Sequence, residues 1–341
     1  MKVAVATDHL TVRTEEWPEP VPGPGELRVR IRVCGACTSD VLSWYVKKKA
    51  PVVLGHEPVA EVLEPGDGVD GFRPGQRLFV HHHAPCGSCR FCRREQYILC
   101  PTWRKQALSP GGFAEEAIVR SQAVRMDTLT LPDEVSDEAA ALIEPFACSI
   151  HAFRQAGIRP DDRVILIGMG GMGFLNAYAA RAYGVKEIAV TDLMPERLEM
   201  ARDHGFGSVI DGNTPDAAEA LREASGGEGG DIVIVGPGYL PAMELGMKVV
   251  APGGTVVLFT PSAPEDVLGI SPHHLYFNDI TVTTSYSCDP NDTKESLRMI
   301  AGGALPVDRL ITHRFPLDRV EDALKILSAG GRVLKVLVDV S

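Results

Sequence analysis

No window of the 341-residue chain reaches the roughly 18 uninterrupted apolar residues that a membrane-spanning helix requires. The opening stretch, MKVAVATDHLTVRTEEW, holds neither an apolar segment nor a small-residue cleavage site, so no secretory signal is expected. Basic residues are in the minority. Lys and Arg total 34 against 45 Asp and Glu, which gives a formal charge of -11. That balance leaves nothing to neutralise a phosphate backbone and argues against a nucleic-acid partner. Internal repeats and low-complexity tracts are lacking. What is present is 45% apolar and 23% charged residues, the balance of a soluble globular protein long enough for two domains. The expectation is a cytoplasmic protein that engages a small molecule, with no membrane and no nucleic acid.

Cysteine is scarce outside one place. Four of the eight fall in CGSCRFCRREQYILC, residues 86–100, with two, two and seven residues between Cys86, Cys89, Cys92 and Cys100. In a reducing compartment, clustered thiols favour metal over disulfide. Four thiolates at loop-compatible spacing can close a tetrahedron around zinc with no vacant position, which makes a structural site. Such a site ties down a lobe with too little apolar material to fold alone. Two disulfides, an iron–sulfur cluster and chance proximity are the alternatives.

The chain divides by composition. Up to about residue 145, short β segments such as ELRVRIRVCGAC and VVLGHEPVAEVLEPG alternate with Gly- and Pro-rich turns, the pattern of a barrel-like β lobe. From about 160 the pattern becomes alternating β and α. RVILIG and EIAVTD are each followed by a helix, and DIVIVG, LGMKVVAPGGTVVLF and DITVTTSY read as further β segments of a doubly wound parallel sheet. The closing stretch ITHRFPLDRVEDALKILSAGGRVLKVLVDV reads as a helix between β segments that returns to the first lobe.

VILIGMGGMGFLNAYAARAYG carries Gly168, Gly170 and Gly173 in the order G-x-G-x-x-G, after an apolar strand and at the start of a helix. Lack of side chains there permits a tight turn and close approach of a pyrophosphate to the helix N-terminus. Asp192 ends the next strand, 19 residues on, where an acid accepts hydrogen bonds from an adenosine ribose. Together they predict a dinucleotide site, whereas Asp192 alone could be an ordinary loop acid or helix cap.

A third set is scattered. VCGACTSD offers Cys37, Ser39 and Asp40, GHEP offers His56 and Glu57, and ALIEPFACSIHAF offers Glu144. Cys34 and Cys37 have the spacing of a thioredoxin pair, but no βαβ context precedes them. Taken together and in order, C-x-S-D, GHE, the C-x2-C-x2-C-x7-C loop, IEP, the glycine fingerprint and the strand-end Asp resemble the zinc-dependent medium-chain dehydrogenase/reductase superfamily over essentially the whole chain.

The resemblance implies an α/β protein with a GroES-like β-rich catalytic domain at 1–148 and 287–341, and a Rossmann domain binding NAD at 149–286. It implies two zinc ions per chain. Cys37, His56 and Glu144 would surround the catalytic one, with Glu57 as an alternating or neighbouring ligand, and Cys86, Cys89, Cys92 and Cys100 would hold the structural one. Ser39 would accept or relay a proton, and Asp40 would orient metal ligands. Met172, Arg197, Phe259, Thr260, Thr283, Thr284 and Ser285 would join the three glycines and Asp192 at the cofactor. Tyr286, His82 and His83 would face substrate. Glutamate at 144 resembles the sorbitol/L-iditol and threonine dehydrogenase branch. Ser285 stands where sorbitol dehydrogenases tend to carry arginine, and Ser43 replaces an aromatic substrate contact. The implied activity is NAD-linked oxidation of a secondary alcohol, a polyol or sugar alcohol, by a homodimer or homotetramer. A threonine-type 3-hydroxy amino acid dehydrogenase and a catalytically silent relative are the alternatives. Cys34, Cys148 and Cys288 are expected to be packing residues.

Overall fold

The computed structural model of the chain describes residues 1–105 and 107–341. It divides into two compact units, one of Met1–Pro145 with Cys288–Ser341 and one of Phe146–Ser287.

The first unit is built on an eight-stranded sheet. Its main path runs Ile311–Pro316, Lys335–Asp339, Leu27–Ala36, Glu57–Pro65, Arg77–Val80 and Thr128–Thr130. Alternation in LRVRIRV explains the central strand. Leu27, Val29 and Ile31 are fully buried, and Arg28, Arg30 and Arg32 lie on the other face. A period of two gives one apolar and one polar face. Those arginines meet acids on neighbouring segments, with Arg28 Nε 2.7 Å from Glu116 and Arg32 Nε 2.6 Å from Asp137. The closing strand Lys335–Asp339 pairs antiparallel with Leu27–Ala36, so the C-terminal β segment does return to the first lobe. The lobe at 86–100 has a small core of its own, in which Cys92, Cys100 and the fully buried Trp103 pack together.

The second unit holds six parallel strands: Arg163–Ile167, Glu187–Asp192, Ser208–Asp211, Gly230–Val235, Val250–Leu258 and Thr281–Thr284. Numbered in chain order within this sheet, they lie 3-2-1-4-5-6, the doubly wound arrangement in which ligands bind outside the carboxyl ends. VILI is buried throughout because helices cover both faces of such a sheet. One expectation needs correction. LGMKVVAPGGTVVLF is not a single β segment, because residues 245–249 finish the helix Leu240–Val249 and the strand begins at Val250. Ala242, Met243, Gly246 and Val249 form the buried stripe of that helix, at the three-to-four-residue spacing that seats a helix on a sheet. Among the described residues, no helix is long and apolar enough to cross a membrane.

Candidate active site

Strand register assembles the first cluster. Gly35 pairs with Glu57 and Ala36 with Val336, so residues 37, 56 and 335 emerge at one end of three adjacent strands. Ligand atoms of Cys37, His56 and Glu57 lie within 4.8 Å of one another. Asp40, only 1% exposed, sits in the single turn Thr38–Val41 just after Cys37. One of its carboxylate oxygens accepts the Cys37 N–H at 3.0 Å, and the other lies 3.4 Å from His56 Nδ1. This is how a neighbouring carboxylate fixes the orientation of a metal-binding imidazole. Burial works against an imidazolium at His56, but Asp40 and Cys37 outweigh it and hold its pKa well above the ordinary value. The cluster therefore attracts positive charge. Sulfur, nitrogen and oxygen donors suit zinc. Ser39 is half-buried in the same turn.

Lys335 was not foreseen. Its ammonium donates to both carboxylate oxygens of Glu57, at 2.6 Å to Oε1 and closer still to Oε2. Both side chains are almost fully buried. Burial opposes the Lys335 charge, but the Glu57 carboxylate more than offsets this and raises its pKa. Gly35 makes room for the pair, since a Cβ there would stand 1.9 Å from Glu57 Oε2. A lone lysine inside the apolar run VLKVLV was the available signal, because buried lysines are almost always paired.

Glu144 does not share the tight set of Cys37 and His56. It lies in the first turn of the helix Ile143–Ala156, and its ligand atoms group with those of His81 and His82. His81, absent from the residues expected at the site, is wholly buried. Pairing of Val80 with Thr128 sets His81 opposite Asp127. His81 Nδ1 is 2.7 Å from Asp127 Oδ2, and Asp127 Oδ1 accepts the Thr293 hydroxyl at 2.6 Å. His82 and His83 have ring centroids 3.9 Å apart with the rings tilted by 41°, and each has a buried Nδ1 without a protein partner. Burial first, then neighbouring imidazoles, lowers the pKa of His82 well below the usual range and that of His83 to about 2, so both are neutral.

The four-cysteine lobe fits zinc closely. Two thiolates on one tetrahedral zinc at about 2.3 Å would lie about 3.8 Å apart. Cys86 and Cys92 are separated by 3.9 Å and Cys89 and Cys92 by 3.5 Å, while all four sulfurs fall within 4.8 Å. Disulfide bonds of about 2.05 Å are excluded at these separations, and none of the eight cysteines is in a disulfide. Backbone N–H groups of Cys86 and Cys89 point at Cys100 and Cys86 sulfurs at 3.2 and 3.3 Å. Donors from Ser88 and Cys89 lower the Cys86 thiol to about 6, whereas burial pushes Cys92 up to about 12.

In the second unit the predicted cofactor residues gather at the carboxyl ends of the strands. Gly168 has φ 94°, a conformation that favours glycine. A Cβ on Gly173 would sit 2.1 Å from the Gly168 carbonyl oxygen, so the helix can approach the turn only with glycine there. Met172 lies in the first turn of the helix Gly171–Ala182. Asp192, 7% exposed, accepts the Met169 N–H at 2.6 Å and the Met194 N–H at 2.9 Å, one on each oxygen. Arg197 stands 3.4 Å from the same carboxylate and faces Gly170. The Phe259 N–H bonds to Val235 and the Ser285 N–H to Leu258, which places Phe259, Thr260 and Ser285 along the same rim. Thr283 and Thr284 close the edge strand, and Tyr286, 45% exposed, follows it.

Comparison with known proteins agrees with this geometry. Residues 23–128 match the family described as alcohol dehydrogenase GroES-like domain, and residues 171–302 match the zinc-binding dehydrogenase family. Sorbitol dehydrogenase of Bacillus subtilis strain 168 is 31% identical over 99% of this chain and 97% of its own. L-threonine 3-dehydrogenase of Sinorhizobium medicae strain WSM419 is 28% identical over 95% of this chain and 94% of its own. A solved structure from Sinorhizobium meliloti 1021, of a proposed zinc-binding dehydrogenase bound to NADP, superposes with a TM-score of 0.89 at 27% identity, covering 99% of both chains. The expected pairing of a GroES-like β-rich fold with a Rossmann fold holds, and the chain belongs to the zinc-dependent medium-chain dehydrogenase/reductase family.

Proposed function

We propose that this protein, a zinc-dependent alcohol/polyol oxidoreductase, oxidises a secondary alcohol of the polyol or sugar-alcohol class and prefers NAD to NADP. The observation that carries the reading is the mixed cluster of Cys37 and His56 beside Glu57, set apart from a closed four-thiolate lobe. A structural site uses all its positions, whereas a catalytic one keeps a position for substrate. A zinc ion there supplies Lewis acidity to a bound hydroxyl, and a nicotinamide dinucleotide supplies the hydride acceptor. The protein's own groups do the rest. Asp40 holds His56 and the Cys37 backbone in place. Ser39, in the same turn, takes up or relays the hydroxyl proton. Lys335 keeps the Glu57 charge compensated in a buried setting. The glycine turn admits a pyrophosphate, and Asp192 accepts hydrogen bonds from a ribose diol.

His82 and His83 support the polyol reading. Neutral imidazoles with unpartnered buried nitrogens can bond to further hydroxyls of a polyhydroxylated substrate. The threonine dehydrogenase relative favours one second reading, a 3-hydroxy amino acid substrate, with which Glu144 is equally consistent. Initial rates of NAD reduction with sorbitol, xylitol, 2-butanol and L-threonine separate the two. A polyol should give the highest kcat/KM. Turnover of L-threonine above every polyol would replace the first reading with the second, and no turnover of any alcohol would overturn both.

A further inference from the structure

Two groups of ligand-capable side chains adjoin in the first unit. Cys37, His56 and Glu57 form one, and His81, His82 and Glu144 form the other, each with ligand atoms within 4.8 Å of one another. The His56 and His82 rings link them, with centroids 4.8 Å apart. Two imidazoles bound to one tetrahedral zinc, with Zn–N about 2 Å, would have ring centres about 5 Å apart. The members differ in how far they are already engaged. Both oxygens of Glu57 are taken by Lys335, and His81 Nδ1 is taken by Asp127. His82 has a buried nitrogen with no protein partner, although its carbonyl is fixed by the Ala107 N–H at 2.9 Å.

We propose that His82 is a ligand of the catalytic metal, joining Cys37, His56 and Glu144 while substrate is absent, and that Lys335 keeps Glu57 out of that set. The inference rests on the reading that Cys37 and His56 hold zinc. Charge balance favours His82 over Glu57. One thiolate, one carboxylate and two neutral imidazoles match a divalent ion, whereas recruiting Glu57 would add a buried negative charge and strand the Lys335 ammonium. A substrate hydroxyl entering the site would take the place of the neutral His82 imidazole, with no proton or electron transferred. His82 then stands beside the substrate as a hydrogen-bonding group.

The test uses the full-length protein with zinc in the four-thiolate site and cobalt(II) loaded into the other. Visible absorption reports the cobalt donor set, and chelator competition reports its affinity. His82→Phe and His82→Ala should each weaken cobalt binding by about 10- to 100-fold or more, the scale for lost support at a metal site, and should change the absorption bands. Free imidazole should restore bands and affinity in His82→Ala, which a merely structural role would not produce. Retained four-thiolate zinc and an unchanged circular dichroism spectrum establish folding, and either folded variant suffices for the decision. Unchanged cobalt bands and affinity would overturn the assignment of His82 and leave the Cys37–His56 reading standing. A wild-type protein that binds metal only at the four thiolates would overturn both.

Discussion

The proposed preference for NAD rests on Asp192. A 2′-phosphate on the adenosine ribose would be placed against a carboxylate that is 7% exposed and anchored by the Met169 and Met194 N–H groups. It cannot swing away without breaking those two bonds. Two like unit charges at about 4 Å repel by about 1 kcal/mol in water and about 4 kcal/mol at a protein-surface dielectric. At roughly 1.4 kcal/mol per tenfold, NAD should exceed NADP in kcat/KM by about ten- to a thousandfold. Arg197, 3.4 Å from the carboxylate, offsets part of the repulsion, so Arg197→Ala should widen the ratio. Asp192→Asn removes the charge and should bring the ratio toward about one to ten. The amide oxygen can serve only one of the two N–H groups, so the other loses its acceptor at a cost of about 1–3 kcal/mol. The thermal midpoint should fall by several degrees, on the order of 2–4 °C per kcal/mol for units of this size. The assay is initial rate against cofactor concentration at saturating alcohol, with the ratio taken on one preparation so that the active fraction cancels. Equal efficiencies in the wild type, or a ratio untouched by Asp192→Asn, would refute the reasoning, and the NADP-bound relative makes that a real contest.

Metal analysis should find about two zinc ions per chain, by the ligand count. Mild chelation should remove the Cys37–His56 metal first and abolish activity with the fold intact, because closed thiolate sites hold metal more tightly. Cys89→Ser should instead loosen the lobe at 86–100 and lower stability, and Glu144→Ala should bring the count nearer one. Full activity at one metal per chain, held by the four thiolates, would refute the mechanism. Lys335→Met leaves Glu57 buried and uncompensated and should cost about 3–5 kcal/mol in urea unfolding, while the Lys335→Met/Glu57→Met double variant should recover most of it. A double variant as unstable as the single one would show that the ion pair is not the cause. Asp231 is lowered from its ordinary pKa chiefly by its hydrogen bonds with the Arg163 guanidinium, at 2.7 and 2.9 Å. A lowered carboxylate stabilises the fold above its unfolded pKa of about 4 and loses that contribution as pH falls through the lower, folded value. The stability gap between wild type and Asp231→Asn should therefore be widest near neutrality and shrink with acidification below about pH 4; a gap constant with pH would contradict this.

Much of the molecule was legible in one dimension because its signals are local. Alternation in LRVRIRV, the continuous VILI run, glycines at fixed offsets and cysteines within 15 residues each express a constraint between near neighbours, and the tertiary structure satisfies them in place. The helix ending at Val249 was misread because a short apolar run has no period of its own to separate helix from strand. The Cys37–His56–Glu57 cluster was legible in part, through residue types that only the resemblance tied together. Its partners were not. Lys335 reaches Glu57 across 278 positions, and Thr293 reaches Asp127 across 166. Such pairs are made by strand register and closure of the sheet, which bring the starts of Glu57–Pro65 and Lys335–Asp339 to the end of Leu27–Ala36. Burial then does what no motif records. It requires each charge there to have a partner, commits Glu57 to a lysine and His81 to an aspartate, and leaves a nitrogen of His82 without one. Local pattern thus determined the elements and the kinds of donor available, whereas long-range packing decided which donors are already spoken for.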